Sequence, residues 1–298
     1  MEDSYFDGEF NLIKTENGYW QITPLPSEED LDAHYSLNYY QNPHGTYQSN
    51  YSNEELTHIR LKNRILIDLL GDVNKSHSVL DVGCGEGFLL KQIYDNSGCK
   101  VYGLDYSDYG IIKHNPGLKE FFKKGNIYES LDFLIENQIC FDFIILKNVL
   151  EHVRDPENLI SKLKRILVSG GKLVVTVPND FSWLQLNLKM TRRVDKDYWI
   201  APPEHLNYFT IDSLTKVIES MGLVCQDTIS DFPIEWFNVN THSNYIQSSK
   251  RGPEAHKSRL LLENHINSGD IKLAVNFWKA LAQLRMGRAV TLISSKMV

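Results

Sequence analysis

Three glycines at alternate positions, Gly83, Gly85 and Gly87, follow an apolar run that ends Leu80-Asp81-Val82. Apolar residues resume at once in Phe88, Leu89, Leu90 and Ile93. This pattern predicts a buried strand, a tight turn and a helix start, an arrangement in which backbone passes close beside a ligand. Two nucleotide-binding fingerprints are excluded. No Gly-Lys-Ser/Thr follows, so the turn is not a phosphate loop, and Phe88 and Leu90 stand where a third glycine of a dinucleotide turn would fall. A second carboxylate, Asp105, closes the next apolar run twenty-four positions after Asp81. Further on come Gly125-Asn126-Ile127, Lys147, and two histidines beside carboxylates, Glu151-His152 and Glu204-His205.

A glycine turn without a phosphate-gripping residue suits a nucleoside whose charge lies elsewhere, and S-adenosylmethionine (SAM) is such a molecule. Ligands of open α/β sheets sit outside the carboxyl ends of the strands. On that placement Gly83, Gly85 and Gly87 leave room for the ligand, and N–H groups at the helix start receive its carboxylate. Asp81 accepts from the ammonium, directly or through water. Asp105 meets the ribose hydroxyls or serves as a turn and cap residue. Asn126 bonds the adenine edge with Ile127 against the ring, while Lys147 stands beside the methionine end or is a strand-end surface residue. Cys84, inside the turn, and Tyr106, after Asp105, join the cofactor-binding set.

The elements that must carry these residues alternate. Strands are expected at 78–82, about 100–104, near 121–123, at 141–146 and at 172–177, with helices at 56–70, about 86–95 and from Pro156 to about 168. Near-continuous apolar strands separated by helices indicate a parallel sheet covered on both faces. Thr210 caps a helix at 211–220, a strand covers 223–229, and a final strand follows at 289–294. The fold class is α/β: a Rossmann-like seven-stranded sheet covered by helices, its last strand antiparallel. Residues 1–55 form an aperiodic, Tyr-rich N-terminal arm, either packed by its rings (Tyr35, Tyr39, Tyr40, Tyr47, Tyr51) or serving as a lid. Residues 56–298 form the main domain, with a substrate-side connection at 179–209 and a helical insert at 230–288. Within the insert, Ile271 to Leu284 reads as an amphipathic helix carrying Phe277 and Trp278, and it suits a lid, a dimer contact or a peripheral membrane contact.

The Asp81–Gly87 segment, Asp105, Gly125-Asn126, the Phe141–His152 strand and turn, and Gly170-Gly171 together resemble the class I SAM-dependent methyltransferases. Asn148-Val149-Leu150-Glu151-His152-Val153-Arg154-Asp155-Pro156 is similar to the small-molecule branch that includes the ubiquinone-biosynthesis O-methyltransferases. Asn126 departs from the aspartate usual there, and its side-chain oxygen is expected to bond the adenine amino group. The flanks, Pro24 to Glu29 with Tyr39-Tyr40, then Pro202 to Thr210, and finally Gly287 to Val290, resemble a bacterial branch of sugar, polysaccharide and secondary-metabolite pathways. Some of those relatives begin with a cysteine-rich metal site. No cysteine precedes Cys84 here, so no metal is expected.

The resemblance implies a SAM-dependent methyltransferase acting on a hydroxyl of a small metabolite, a sugar or sugar-containing intermediate. Methyl transfer at nitrogen or carbon, and a non-catalytic SAM-binding scaffold, are the alternatives. A hydroxyl acceptor calls for a base. His205 is the first candidate, with Glu204 able to orient it, against a role in pinning its loop; His152 is the second. Trp183, Tyr198, Trp199 and Trp236 are candidates to line an acceptor pocket by stacking.

Composition narrows the setting. A net charge of −7 argues against a nucleic-acid partner, and no run approaches the length of a membrane span. The four cysteines are far apart and fit a reduced, cytoplasmic protein without disulfides or structural zinc. The expected partner is a small molecule, with a homodimer as the assembly the insert allows.

Overall fold

The structure is a computed structural model that describes residues 4–7 by backbone alone, and 10–27, 31 and 50–297 in full. Tyr35, Tyr39, Tyr40 and Tyr47 lie outside the described residues. The seven-stranded sheet is built from β4 (Ser78–Val82), β5 (Lys100–Asp105), β6 (Phe122–Lys124), β7 (Phe141–Lys147), β8 (Leu167–Pro178), β10 (Leu223–Ser230) and β11 (Ala289–Lys296), in the order β10-β11-β8-β7-β4-β5-β6. Pairing is parallel from β8 to β6, whereas β11 runs antiparallel to both its neighbours. The final strand is therefore the reversed one, as the sequence predicts.

Alternation along the strands sends side chains to two cores. Leu80, Val82, Leu104, Ile144 and Leu146 face one side, where they meet α4 (Ile127–Glu136), α5 (Pro156–Arg165) and α7 (Ile211–Ser220). Val79, Val101, Phe143 and Ile145 face the other, against α1 (Asn53–Leu70), α2 (Phe88–Ser97) and α10 (Ile271–Gln283). Local chemistry sets the ends of these helices. Ser52 and Glu55 form a reciprocal capping box on α1, Asp155 caps α5 with Pro156 in its first turn, and Thr210 caps α7. The short helix α3 (Tyr109–His114) follows β5, and there Ser107 Oγ, not Asp108, accepts the N–H of Tyr109.

Three parts of the chain differ from the sequence reading. The aperiodic arm contains β1 (Ser4–Asp7), β2 (Phe10–Lys14) and β3 (Trp20–Thr23), which form an antiparallel sheet completed by β9 (Asn207–Tyr208). These strands are too short to show a period, and their last partner comes from almost two hundred residues away. The arm is also clipped to α5, since Tyr19 Oη and Asn17 Nδ2 donate to Glu157 at 2.9 and 3.0 Å. The long connection carries α6 (Trp183–Met190). The insert holds α8 (Glu235–Val239) and an unpredicted helix, α9 (Gly252–Ser268), before α10.

Candidate functional site

Strand β4 pairs with β5 on one side and β7 on the other, so chain direction through the sheet reverses there and a crevice opens at its carboxyl end. Gly83, Gly85 and Gly87 form the turn above it with φ of 74°, 56° and 73°, a region that favours glycine. The sequence reading leaves room for the ligand at all three, and two of them also have close protein neighbours. A Cβ on Gly83 would lie 2.3 Å from Val149 Cγ2, and one on Gly87 would meet Leu118 at 3.0 Å. Gly110, which the sequence reading passed over, packs against the turn from outside, where a Cβ would come 2.9 Å from Gly85 O.

The acidic residues gather at this turn. Asp81 is buried and makes no hydrogen bond to a described residue; burial, reinforced by the charge of Asp105 and opposed by Lys147, pushes it up to about 7. Asp105 is also buried, its Oδ2 accepting the Gly85 N–H at 2.9 Å and its Oδ1 the Ser107 N–H at 3.0 Å. Cys84 sits under Gly103, and Tyr106 is half-buried against the core that holds β4 and β7.

Asn126 requires a correction. Its Oδ1 caps α4, accepting the N–H groups of Tyr128 and Glu129 at 2.8 and 3.3 Å. The oxygen expected to meet the adenine amino group is engaged by the helix start, and Nδ2 remains as a donor. Ile127 beside it is buried. Tyr51, from the arm, reaches over the turn: its hydroxyl donates to Glu86 Oε1 at 2.7 Å and its ring meets Phe88 edge-on.

His152 and His205 come together although fifty-three residues apart, with ring centroids 4.9 Å from one another. His152 lies on the 3-10 turn Leu150–His152 after β7, and its Nδ1 donates to Glu204 O at 2.6 Å. His205 Nδ1 is buried without a hydrogen-bond partner among the described residues, and burial with the charge of Arg288 lowers its pKa to about 4. Glu151, buried beneath them with Oε1 3.8 Å from His152 Nε2, is pushed up by burial to about 8. Ligand atoms of the three residues lie within 4.8 Å of one another, a grouping that sequence spacing did not reveal. Main chain holds the two segments together: Leu206 N–H donates to Glu151 O at 2.8 Å, and Asn207 Nδ2 to Val153 O at 2.6 Å. Behind them Arg288 is paired with buried Asp180 at 2.6 Å.

The aromatic residues expected to line an acceptor pocket do not converge. Trp199 is 1% exposed and belongs to the core, whereas Trp183 and Trp236 are 65% and 43% exposed on separate helices. Tyr198 packs edge-on against Trp199 and donates to Glu235. Glu204 is exposed and contributes its carbonyl to His152. Instead, a cavity of about 100 Å³ opens beside Lys147, walled by Lys62 of α1, Ser230, Glu263 and Asn267 of α9, and Trp278 of α10. Apart from Lys147 and Trp278, these residues carried no sequence signal, because buried polar groups on a helix do not resemble core.

Among the described residues no helix is long and apolar enough to cross a membrane. The chain matches the methyltransferase domain family over residues 47–228. It is 28% identical over 119 residues to phosphoethanolamine N-methyltransferase 2 of Caenorhabditis elegans, covering 39% of this chain and 27% of that one. It is 26% identical over 201 residues to the sterol 24-C-methyltransferase of Saccharomyces cerevisiae, covering 59% and 48%. A ubiquinone biosynthesis O-methyltransferase of Coxiella burnetii is 32% identical over 106 residues, covering 35% and 45%. The chain thus spans less than half the length of these curated relatives. The family match takes in more than half of the chain, from α1 through most of β10, and includes the glycine turn and the carboxylates around it, so the chain belongs to the class I SAM-dependent methyltransferases.

Proposed function

We propose that the chain moves a methyl group from SAM to a hydroxyl of a small metabolite, with a sugar or sugar-containing intermediate as the acceptor. SAM supplies the methyl group on a sulfonium centre. The chain has to hold the acceptor in line with it and, for a hydroxyl, take a proton. In this reading Asp81 receives the ammonium of the cofactor, Asp105 the ribose, and Asn126 with Ile127 the adenine. Tyr51, bonded to Glu86, covers the turn.

One observation carries the choice of a hydroxyl. His205 presents a buried Nδ1 with no hydrogen-bond partner among the described residues, on a loop bonded to the turn whose Val149 abuts Gly83. A neutral imidazole with an unpartnered ring nitrogen offers a proton acceptor to a hydroxyl placed against it. The matched relatives act, by their names, at nitrogen, carbon and oxygen, so they leave the acceptor atom open. The sugar class is supported by the likeness of Pro202 to Thr210 to sugar-pathway enzymes.

The test is turnover by the full chain with SAM and a panel of nucleotide sugars and phenols, reading S-adenosylhomocysteine (SAH) and the mass of the product. A methylated sugar hydroxyl supports the proposal. SAM binding without transfer to any hydroxyl, or transfer to amines or carbon only, overturns it.

A further inference from the structure

This inference rests on the methyltransferase reading and concerns the acceptor's chemistry. Two lysines line the cavity beyond β7 and β8. Lys62 has its counter-charges, with Asp231 Oδ2 at 3.4 Å and Glu263 Oε1 at 3.8 Å. Lys147 has no hydrogen bond or ion pair to any described residue. A second donor is in the same position: Ser230 is 5% exposed, and its Oγ has no hydrogen-bond partner among the described residues.

Several other polar groups of the wall have protein partners. The hydroxyls of Thr176 and Thr291 bond at 2.8 Å, and Asn267 Oδ1 accepts Trp278 Nε1–H at 2.7 Å. Glu263 Oε2 lies on the side of His58 and Arg259, 3.5 and 3.7 Å away. The unmatched donors of the wall thus include an ammonium and a hydroxyl, which together suit an oxyanion. An ammonium without a directly bonded partner has donor capacity to offer an anion that enters the cavity.

The cavity is continuous in its electrostatics with the glycine turn. The charges that act on Lys147 include Asp81 and Glu86 of the glycine-turn region as well as Lys62 and Asp231 of the cavity. Its size of about 100 Å³ has room for a group of a few atoms. We propose that this cavity receives a carboxylate or phosphate of the methyl acceptor, held by Lys147 and Ser230, so that the enzyme selects an anionic metabolite. The same chemistry is present in the methionine carboxylate of the cofactor, and the test separates the two sources.

Inorganic phosphate and acetate are titrated calorimetrically into the full chain saturated with SAH. Saturable binding of at least one anion is expected, weakened about tenfold or more by Lys147→Met and about threefold by Ser230→Ala, with SAH affinity within about twofold of wild type. Retained SAH binding also shows that each variant is folded. Wild type that binds SAH but neither anion overturns this inference alone. A loss of SAH affinity of about tenfold or more in Lys147→Met, with Ser230→Ala unaffected, gives the ammonium to the cofactor's carboxylate and overturns it too. Wild type that binds no SAH removes the methyltransferase reading, and this one with it.

Discussion

Asp105 Oδ2 lies 2.9 Å from the backbone nitrogen of Gly85, so the carboxylate assigned to the ribose also fixes the turn that lies beside it. Both oxygens accept backbone N–H groups, Gly85 on one side and Ser107 on the other. Asp105→Ala removes two charge-assisted bonds and leaves their donors buried, which costs about 1–3 kcal/mol for each unsatisfied group. Calorimetry should show SAH affinity at least about a hundredfold weaker, and urea unfolding a lower midpoint. Asp105→Asn retains an acceptor for one donor and should fall between. SAH affinity unchanged in Asp105→Ala would remove Asp105 from the cofactor site.

The pH dependence of cofactor binding should come from Asp81. Burial holds it near about 7 in the folded chain, whereas an unfolded aspartate titrates near about 3.9. Between those values the folded chain keeps a proton that the unfolded chain has released, so this residue's contribution to stability falls as pH rises through the window and levels above about 7. A cofactor ammonium favours the ionised form, so binding releases that proton. SAH affinity should therefore rise about tenfold from pH 5.5 to 7.0 and then flatten. Asp81→Asn should abolish the rise. Calorimetry in two buffers of different ionisation enthalpy reads the released proton directly, and a pH-independent wild-type affinity would reject the assignment.

Gly83 tests the packing beneath the site. Alanine there combines a positive φ with a Cβ 2.3 Å from Val149 Cγ2, so strain and overpacking each contribute about 1–3 kcal/mol. Gly83→Ala should lose about 2–4 kcal/mol in urea unfolding, and adding Val149→Ala should recover the steric part but not the backbone part. Additive single and double variants would mean that the two residues do not touch.

What was legible in the sequence followed from burial on both faces. Strands such as Val79 to Val82 and Phe143 to Leu146 are apolar on alternate faces that are both covered, so they read as continuous runs with helices between them. The glycine turn and Asp105 were visible because positive φ and a strand-end carboxylate restrict residue type. Helix α9 was not, since the residues it buries are Ala255, Leu260, Glu263 and Asn267, half of them polar, and no apolar stripe results. The cavity around Lys147 was hidden for the same reason. The meeting of His152 with His205 rests on the bond of Leu206 N–H to Glu151 O, a contact between distant loops that no local pattern encodes.

The same contact separates two roles for His205. If its ring only pinned the loop, the loop would depend on that ring, yet the anchoring bonds belong to others. Leu206 N–H and Asn207 Nδ2 hold the turn after β7, and Tyr208 Oη donates to the main-chain carbonyl of His205 at 2.9 Å. All of these survive a change of side chain. His205→Ala should therefore leave SAH affinity within about twofold while lowering kcat by about 10²–10⁴, the usual range for a lost general base. Because burial lowers the imidazole to about 4, the wild-type profile of kcat/KM should show no acid inflection near the ordinary histidine value of about 6.5. His205→Gln decides the matter: glutamine keeps a polar side chain that can pin, but it cannot take a proton. Activity restored by glutamine would make the residue structural, and activity lost in both variants with SAH binding intact would make it the base.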